Sequence, residues 1–407
     1  KPNLPIDIQG WVFVGNLSLT GAIPAITNPL SVALSLARQS PGARVVMGYD
    51  SAVIATAVPG VEVYGVQTLS QVVAGLTGNL AWTPVVAEPA ALNSAQLESF
   101  GCLADVRGQS QPKRALEVAA AGGHSLLFVG PPGTGKSMLA SRLPGLLPAL
   151  SHGQSLEVAA LRARDHQAVS LSVVPPFRAP HHSASALALI GGGANPHPGE
   201  ITRAHYGVLF LDELPEFDRR VIESLREPLE TAHITIARAR YAVRFPADFQ
   251  LVAAMNPCPC GWAGHWQHTC RCTPERKEQY RARLSGPFLD RLDLQITVES
   301  PVLKGWDSQP RGETSAQVRK RVARARDIQL QRQGRVNAKL LPGELEACVN
   351  LSDEAQALLW QAAQKWGWSA RVIHRLSRVS RTVADLAGEK RVRGLDMAEA
   401  IQFRQGW

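Results

Sequence analysis

The sequence predicts an α/β fold: a parallel sheet with a phosphate-binding loop, a helical lid after it and a smaller α/β domain before it. Three observations predict this order. A glycine-rich loop joins an apolar strand to a helix near residue 130, and a later apolar strand ends in two carboxylates. Beyond residue 313 the hydrophobic spacing is that of helices. Alternating strands and helices are typical of parallel sheets.

Composition sets the broad class of protein. The 407 residues are enough for about two to four domains, and 45% hydrophobic with 19% charged residues is typical of a globular protein. No apolar run approaches the ~18 residues that span a bilayer, and no signal peptide is recognised. A cytoplasmic protein without a membrane partner is therefore expected. Because the chain begins at Lys1 rather than Met, its native start is expected to be missing.

The net charge of +9 is unevenly distributed along the chain. The first 100 residues hold three basic and five acidic side chains, so the excess of Lys and Arg lies in the later part. A basic region of this kind indicates a polyanionic partner, most simply nucleic acid. A solvated surface of Lys and Arg is the alternative, and composition alone does not separate the two.

The first part of the chain is predicted to be a mixed α/β domain. Runs rich in β-branched residues at 11–14, 43–47 and 62–65 favour strands, and residues 30–38 have helical spacing. The proline-containing stretch 79–98 is typical of a linker. The predicted domains are this α/β domain at 1–79, a linker at 80–100, a central core at 101–300, and a linker with a helical lid at 301–407.

The loop near residue 130 predicts a nucleotide site. Residues 125–129 favour a strand, residues 130–137 fit the pattern G-x-x-x-x-G-K-[ST], and residues 138–143 continue as a helix until Pro144. Glycines let backbone N–H groups surround phosphates, and the helix N-terminus adds partial positive charge. Lys136 is expected to reach the β- and γ-phosphates, and Ser137 to hold Mg²⁺. The predicted nucleotide contacts are Gly130, Pro131, Pro132, Gly133, Thr134, Gly135, Lys136 and Ser137.

Two later strands are expected to complete this site. Residues 207–211 favour a buried strand and are followed by Asp212 and Glu213. Asp212 is expected to hold the Mg²⁺ shell, and Glu213 to activate the attacking water as general base. Residues 251–255 favour another buried strand, after which Asn256 is expected to orient the water beside the γ-phosphate. The alternative for Asn256 is a simple turn residue.

Four cysteines form two close pairs with two histidines between them. Thiol pairs across a short loop fit a four-coordinate structural zinc site, although C-x-C is less typical than C-x-x-C. Buried or free thiols and disulfides are the alternatives, and a reducing cytosol disfavours disulfides. The candidate zinc ligands are Cys258, Cys260, Cys270 and Cys272.

Residues 233–245 favour a β-hairpin, because two strand-like runs flank a short turn. Arginines near a hairpin tip suit a phosphate backbone and make salt-sensitive contacts that do not depend on base sequence. A solvated hairpin face is the alternative. The candidate DNA-binding residues are Arg238, Arg240, Tyr241 and Arg244.

Four motifs resemble those of a known family. They are RAPHHS at 178–183, GGGANP at 191–196, GEI at 199–201 and FLDELPEF at 210–217. They are similar to the magnesium-chelatase-related AAA+ ATPases, and most similar to the ComM/YifB family, over about residues 105–402. The resemblance implies an AAA+ P-loop sheet with a helical lid, ATP and Mg²⁺ as cofactors, and a hexameric ring. It also implies an ATP-driven DNA helicase that promotes branch migration during natural transformation, acting on single-stranded or branched DNA.

The same resemblance implies roles for further residues. Val106 and Gln109 lie in an element like the one that holds the adenine base, and Asn256 takes the position named sensor 1. Residues 181–201 resemble the helix-2 insert, in which glycines 191–193 imply a mobile tip. Residues 232–248 resemble the hairpin that precedes sensor 1.

Two arginines are expected to act on a neighbouring subunit. The resemblance implies that Arg291 is an arginine finger, which contributes about 10³–10⁵ in rate. An ion pair within the chain, to Asp290 or Asp293, is the alternative. Arg371 takes the sensor 2 position near the start of a helix that Ser369 is expected to cap.

The C-terminal part is predicted to be an all-α lid of the kind that AAA+ modules append. Residues 301–313 are typical of a linker, and helical spacing follows at 314–333, 353–365, 369–386 and 395–403. The first of these helices is basic. For its arginines a solvated face is favoured over a DNA contact.

Residues 15–76 resemble the last part of a Lon-protease-like domain, so the earlier part of that domain is expected to be missing. The matching features are GNLSLTG at 15–21 and the elements that follow. Lon proteases have a catalytic Lys at the start of the helix, where Ser31 stands here, and no Lys occurs between residues 2 and 107. A scaffold or assembly role is therefore expected for this partial domain.

Three functions follow from these observations. The first is an ATP-dependent DNA helicase that promotes branch migration. The second is a magnesium-chelatase-type motor that drives metal insertion into a porphyrin, and the third is a regulatory relative of AAA+ proteases. The missing Lys argues against the third. The cysteine cluster, the basic hairpin and the Lon-like segment favour the first over the second, and stimulation of ATP hydrolysis by DNA would separate those two.

Overall fold

The computed structural model describes residues 8–86, 100–163, 171–193, 196–238, 241–300 and 312–404. The chain divides into two compact units. The first consists of residues 1–94 and 150–173, and the second of residues 95–149 and 174–407. Among the described residues, none of the helices combines the length and apolar character needed to cross a bilayer.

The secondary structure alternates between strands and helices up to about residue 300 and is helical afterwards. The strands of the described residues are β1 (Trp11–Val14), β2 (Ala43–Gly48), β3 (Val61–Val66), β4 (Leu126–Val129), β5 (Phe177–Arg178), β6 (Gly191–Gly192), β7 (His197–Pro198), β8 (Val208–Leu211), β9 (His233–Arg238), β10 (Tyr241–Pro246), β11 (Gln250–Met255) and β12 (Leu294–Thr297). The helices are α1 (Pro29–Gln39), α2 (Tyr49–Ala55), α3 (Leu69–Leu76), α4 (Ser110–Gly122), α5 (Lys136–Leu146), α6 (His152–Ala163), α7 (Ala186–Ile190), α8 (Glu200–Arg203), α9 (Arg219–Ser224), α10 (Arg226–Thr231), α11 (Pro274–Arg281), α12 (Gly286–Leu289), α13 (Ser315–Gln333), α14 (Leu345–Val349), α15 (Asp353–Trp366), α16 (Ala370–Ala387) and α17 (Gly394–Gln402).

The first unit is a three-stranded parallel sheet with helices packed on it. Its strands lie in the order β1-β2-β3, as the three predicted strand segments require. Helix α1 begins after Asn28, whose side chain accepts a hydrogen bond from the N–H of Ser31 at 3.2 Å. Ser31 therefore lies in the first turn of the helix, as the sequence predicts.

Helix α6 belongs to this first unit, although the sequence placed it in the central core at 101–300. Its Leu156 and Ala159 are buried against Leu30 of α1. The side chain of Asn28 donates to the carbonyl oxygen of Ala160 at 2.9 Å. Helix α6 is grouped here because its apolar face covers the helices and sheet of the first unit.

The second unit is built on a five-stranded parallel sheet in the order β12-β4-β11-β8-β5. Its central strands are buried on both faces, as their continuous apolar runs predict. Helices α4 and α5 share one core with the lid helices α13 to α17. The predicted α/β class, with a parallel sheet and a helical C-terminal region, is confirmed.

Helix α5 continues beyond the predicted end at Pro144. It extends to Leu146, with the proline inside its last turn. A proline removes one helical N–H and crowds the preceding turn, and here that loss falls near the helix end. The N–H of Leu147 bonds to the carbonyl oxygen of Pro144 at 3.2 Å and closes the helix.

Arg319, Arg321 and Arg326 of α13 contact the core, which corrects the expectation of a solvated basic face for these three, whereas Arg324 is exposed. Arg326 donates to the carbonyl oxygen of Ala120 at 2.9 and 2.7 Å, at the C-terminal end of α4. Arg321 Nε donates to a carboxylate oxygen of Glu117 at 2.6 Å. The last carbonyls of a helix have no partner within it, so cationic side chains stabilise that end. Of the two predicted linkers, residues 87–99 and 301–311 lie outside the described residues.

Candidate functional site

The loop between β4 and α5 has a backbone that its glycines make possible. Gly133 and Gly135 have φ angles of 76° and 87°, in the left-handed region that glycine adopts without strain. A Cβ atom on Gly130 would lie 2.2 Å from the carbonyl oxygen of Val298. Thr134 donates its hydroxyl to a loop carbonyl at 2.9 Å. The loop therefore requires glycine at these positions, and its N–H groups lie at the N-terminus of α5.

Lys136 is the first residue of α5, and its ammonium group lies against the loop. Its Nζ donates to the carbonyl oxygens of Gly130 and Pro131 at 2.7 and 2.8 Å and to Oδ1 of Asn256 at 3.2 Å. Burial lowers the pKa of Lys136, while nearby carboxylates act in the opposite direction. Because these three partners are neutral, phosphate oxygens would bind the ammonium more strongly than they do.

Ser137 and Asp212 bring together the oxygen atoms of the predicted Mg²⁺ site. Asp212 follows the end of β8, and its Oδ2 accepts a hydrogen bond from Ser137 Oγ at 2.5 Å. Its Oδ1 accepts from the N–H of Glu213 at 2.9 Å. Protein-bound Mg²⁺ usually takes one or two protein oxygens together with substrate phosphates. The donor set of this chain fits that ion.

Glu213, the candidate base, is held by a residue to which the sequence gave no role. Nδ1 of His182 lies 2.9 Å from Oε2 of Glu213. The backbone of Glu213 has a φ of 52°, which is uncommon for a residue with a side chain and costs conformational energy. The RAPHHS motif, which contains His182, was the available signal in the sequence.

Most of the predicted phosphate-binding residues, together with Glu213 and Asn256, line one cavity of about 370 Å³. Strands β4, β8 and β11 are neighbours in the sheet, so the residues at their carboxyl ends meet at one edge. The lining residues are Pro132, Gly133, Gly135, Lys136, Ser137, Met138, Asp212, Glu213, Met255 and Asn256. A cavity of this size is typical of a small-molecule site.

The two candidate adenine contacts lie just before and at the start of α4. Val106 is buried, and its carbonyl oxygen accepts a hydrogen bond from Lys113. Gln109 has a φ of 52°, and its Nε2 donates to the carbonyl oxygen of Glu299 at 2.9 Å. Their role in holding the base stays a prediction.

Arg291 and Arg371 meet at a single carboxylate, that of Glu230. Nη2 of Arg291 lies 2.8 Å from Glu230 Oε1, and Nη2 of Arg371 lies 3.6 Å from the same oxygen. Within the described residues, the ion pair of Arg291 is thus with Glu230 rather than with Asp290 or Asp293. The sequence offered no motif for Glu230, because the contact joins segments far apart in the chain.

Ser369 precedes α16 as predicted, but its side chain does not cap that helix. Its hydroxyl donates instead to Oδ2 of Asp290 at 3.4 Å. A serine before a helix normally binds a free N–H of the first turn. Here a neighbouring carboxylate is the partner, which corrects the capping prediction.

The four clustered cysteines are arranged as a metal site requires. Their Sγ atoms all lie within 4.8 Å of one another. The Sγ atoms of Cys258, Cys260 and Cys270 are separated from one another by 3.4 to 3.7 Å. Burial raises the pKa of the Cys258 thiol to about 11. Burial also acts to raise the pKa of Cys260, but backbone hydrogen bonds from residues 262 and 271 lower it to about 6. The cluster can therefore hold a metal ion.

The cysteine loop lies directly against the phosphate loop. It begins two residues after Asn256, and a Cβ atom on Gly261 would lie 2.7 Å from the ring of Pro132. Gly261 has a φ of 83°, so glycine is favoured there for its backbone as well. The shape of the cysteine loop is thus coupled by contact to the nucleotide site.

The predicted hairpin is formed by β9 and β10. The two strands are antiparallel, with Arg238 opposite Tyr241 and Thr235 opposite Arg244. Arg244 is exposed. Arg240 lies outside the described residues, as do the side chains of Arg238 and Tyr241.

The predicted helix-2 insert contains α7 and the short pair β6–β7. Gly191 and Gly192 pair with Pro198 and His197 in an antiparallel ladder. A Cβ atom on Gly191 would lie 2.4 Å from the carbonyl oxygen of His197, so this close approach requires glycine. Residues 194–195, at the tip, lie outside the described residues.

Comparison with known proteins identifies the family. Residues 102–304 match the family described as "Magnesium chelatase, subunit ChlI", and residues 312–404 match its C-terminal family. The "Competence protein ComM" of Haemophilus influenzae is 45% identical over 98% of this chain and 78% of its own length. The "Uncharacterized protein YifB" of Salmonella typhimurium is 42% identical over the same shares. "Lon protease 2" of Bacillus subtilis is 28% identical over 38% of this chain and 32% of its own length. The chain belongs to the ComM/YifB family of magnesium-chelatase-related AAA+ proteins.

Proposed function

We propose that this protein is an ATP-dependent DNA helicase and translocase that works as a hexameric ring and promotes branch migration during natural transformation. The observation that carries the proposal is the cavity in which Lys136, Asp212, Glu213 and Asn256 meet. The relative that is named a competence protein supports DNA as the partner. The magnesium-chelatase-type motor is the alternative, since the matching family has that name.

ATP hydrolysis follows from the geometry of the cavity. The loop N–H groups and Lys136 bind the β- and γ-phosphates, and the neutral carbonyls now bonded to Nζ give way to phosphate oxygens. Mg²⁺, when held by Ser137 and Asp212, neutralises charge on the phosphate oxygens. Asn256 orients a water molecule, and Glu213 takes its proton as the water oxygen attacks phosphorus. The bond to the bridging oxygen breaks, and ADP and phosphate leave.

The site is completed in trans under this proposal. Arg291 and Arg371 do not line the cavity of their own chain, so we assign them to the nucleotide of the adjacent subunit. Arg291 would stabilise the charge that develops on the transferred phosphoryl group. Mixing Arg291→Ala chains, which keep Lys136, with Lys136→Ala chains, which keep the finger, is expected to restore part of the activity. Mixtures as inactive as either variant alone would contradict action in trans.

DNA binding is assigned to the hairpin of β9 and β10. Arg244 is exposed on it, and an arginine beside a phosphate backbone gives a salt-dependent contact.

We assign zinc to the cysteine cluster, because its four thiols have the number and spacing of a structural site. We place the protein in the cytoplasm, where the six free cysteines would stay reduced. The Lon-like unit is assigned a scaffold role, since Ser31 replaces the catalytic lysine.

The decisive experiment is a branch-migration assay with and without ATP. The wild-type chain is expected to move a labelled branched DNA only when ATP is present, and DNA is expected to stimulate its ATPase activity. Lys136→Ala is the control and is expected to lose ATP binding and all movement. An ATPase that no DNA stimulates would contradict the helicase proposal and favour the chelatase-type motor.

A further inference from the structure

Glu230 binds both arginines that are assigned to the neighbouring nucleotide. One oxygen, Oε1, lies 2.8 Å from Arg291 and 3.6 Å from Arg371. The side chain of Arg291 is only 6% exposed, whereas those of Glu230 and Arg371 are 44% and 48% exposed. A half-exposed carboxylate thus binds one arginine from the interior and one from the surface.

Arg291 depends on this carboxylate for its counter-charge. Its Nη1 donates to the carbonyl oxygen of Pro287 at 2.6 Å, and its buried Nε has no hydrogen-bond partner among the described residues. Burial lowers the pKa of Arg291, and the charge of Glu230 acts in the opposite direction. A buried guanidinium without an anion is costly. Arg291 can therefore leave Glu230 at low cost only if another anion takes its place.

Glu230 also lies where α10 turns into the hairpin. Two residues later, Ala232 has a φ of 58°, and its carbonyl oxygen accepts from the N–H of Ala247 at 2.8 Å, closing the hairpin base. Glu227, on the same helix, accepts from Thr235 of β9 at 2.9 Å. A shift of Glu230 would therefore be transmitted to β9.

We propose that Glu230 is a positioning residue that holds Arg291 and Arg371 until the phosphates of a neighbouring subunit's ATP replace it. The planar guanidinium of arginine donates hydrogen bonds to carboxylate and to phosphate oxygens alike, so one anion can replace the other. The exchange releases Glu230 from the two arginines. Because α10 leads directly into β9, the position of the hairpin then depends on whether the neighbouring subunit holds ATP. This inference rests on the proposed action of the two arginines in trans.

The test is the ATP dependence of hydrolysis by the full chain without DNA, so that its result does not depend on DNA binding. Glu230→Gln removes the competing charge and is expected to lower KM for ATP roughly 5- to 10-fold, the range of an ordinary coupling between sites. Glu230→Asp keeps the charge and is expected to restore KM to within about two-fold of wild type. Glu227→Gln is the matched control, because that carboxylate binds Thr235 and neither arginine; its KM is expected to equal that of wild type.

Three results would overturn the inference: an unchanged KM in Glu230→Gln, a loss of turnover equal to that of Arg291→Ala, or a Glu230→Gln chain that no longer folds. The last two would mean that the carboxylate only supports the fold or the finger. Failure of the proposed function looks different. If Arg291→Ala hydrolyses ATP like wild type, the proposed action in trans is wrong. If Arg291→Ala is inactive and is rescued by mixing, the action in trans stands. An unchanged KM for ATP in Glu230→Gln would then contradict only the role of Glu230.

Discussion

Replacing Cys258 by serine tests the proposed zinc site. Cys258 is fully buried, and its Sγ lies 3.4 Å from that of Cys260 and 3.7 Å from that of Cys270. A tetrahedral ion with Zn–S bonds of about 2.3 Å sets S–S separations near ~3.8 Å. The separations among the sulfur atoms of Cys258, Cys260 and Cys270 thus differ from the tetrahedral value by only a few tenths of an ångström.

The size of the effect follows from the number of ligands. Structural zinc sites bind with about 10–16 kcal/mol, or roughly 2.5–4 kcal/mol for each of four thiolates. Removing one is expected to weaken zinc binding about 10²- to 10³-fold. The measurements are zinc content by mass spectrometry after gel filtration and competition with a coloured chelator. Wild type is expected to retain one zinc ion per chain, and Cys258→Ser to lose it to the chelator.

Cys348→Ser is the matched control, because Cys348 lies on α14 outside the cluster. It is expected to keep the zinc of the wild type. The ATPase activity of Cys258→Ser is expected to fall several-fold, since Gly261 of the same loop packs on Pro132 of the phosphate loop. A wild-type chain without zinc, or a Cys258→Ser chain that holds zinc as tightly as wild type, would refute the assignment.

Two further predictions test the catalytic base and the buried charges. Glu213→Gln is expected to bind ATP normally but to hydrolyse it about 10²- to 10⁴-fold more slowly. Glu216→Gln, in the adjoining turn, is the control and is expected to hydrolyse ATP at a near-normal rate. Hydrolysis by Glu213→Gln at the wild-type rate would exclude Glu213 as the base. Asp293 is buried, which alone would raise its pKa, but Arg375 lies 2.5 Å away and holds that pKa well below its usual range. The ionised carboxylate of Asp293 therefore stabilises the fold fully above the pKa of an unfolded Asp, about 3.9. This stabilisation is lost as the pH falls through the lower pKa of Asp293 in the folded chain. Asp293→Asn is expected to lose about 3–5 kcal/mol of unfolding free energy at pH 7, measured by urea titration; wild-type stability would refute this.

The convergence of the candidate nucleotide-binding residues on one cavity was predictable because the patterns that mark them are local. The loop from 130 to 137 has a fixed spacing, and Asp212, Glu213 and Asn256 each follow a buried strand. Parallel strands then place those ends side by side, whatever lies between them in the chain. The predicted hairpin and lid helices were likewise recognisable from short-range patterns, to within a few residues at their ends.

The contacts between distant segments were not predictable. Glu230 meets Arg291 and Arg371 across 61 and 141 positions, and no spacing rule connects them. His182 belongs to a recognised motif, but its partner Glu213 is set by the fold. Ser369 stands at the predicted position before the helix, but its hydroxyl donates to Asp290 instead of accepting from a backbone N–H of the first turn. Sequence patterns specify elements, whereas these partners depend on how the elements pack.

The position of α6 has a consequence for how the protein is made. The first unit cannot bury Leu30 fully until Leu156 and Ala159 have been synthesised, and the phosphate loop precedes those two residues in the chain. The first unit thus stays partly open while the strand before the phosphate loop is synthesised, because domains generally fold as complete units. Deleting residues 1–94 would likewise leave the apolar face of α6 uncovered, so such a truncation is expected to aggregate. The two units are thus interleaved along the chain.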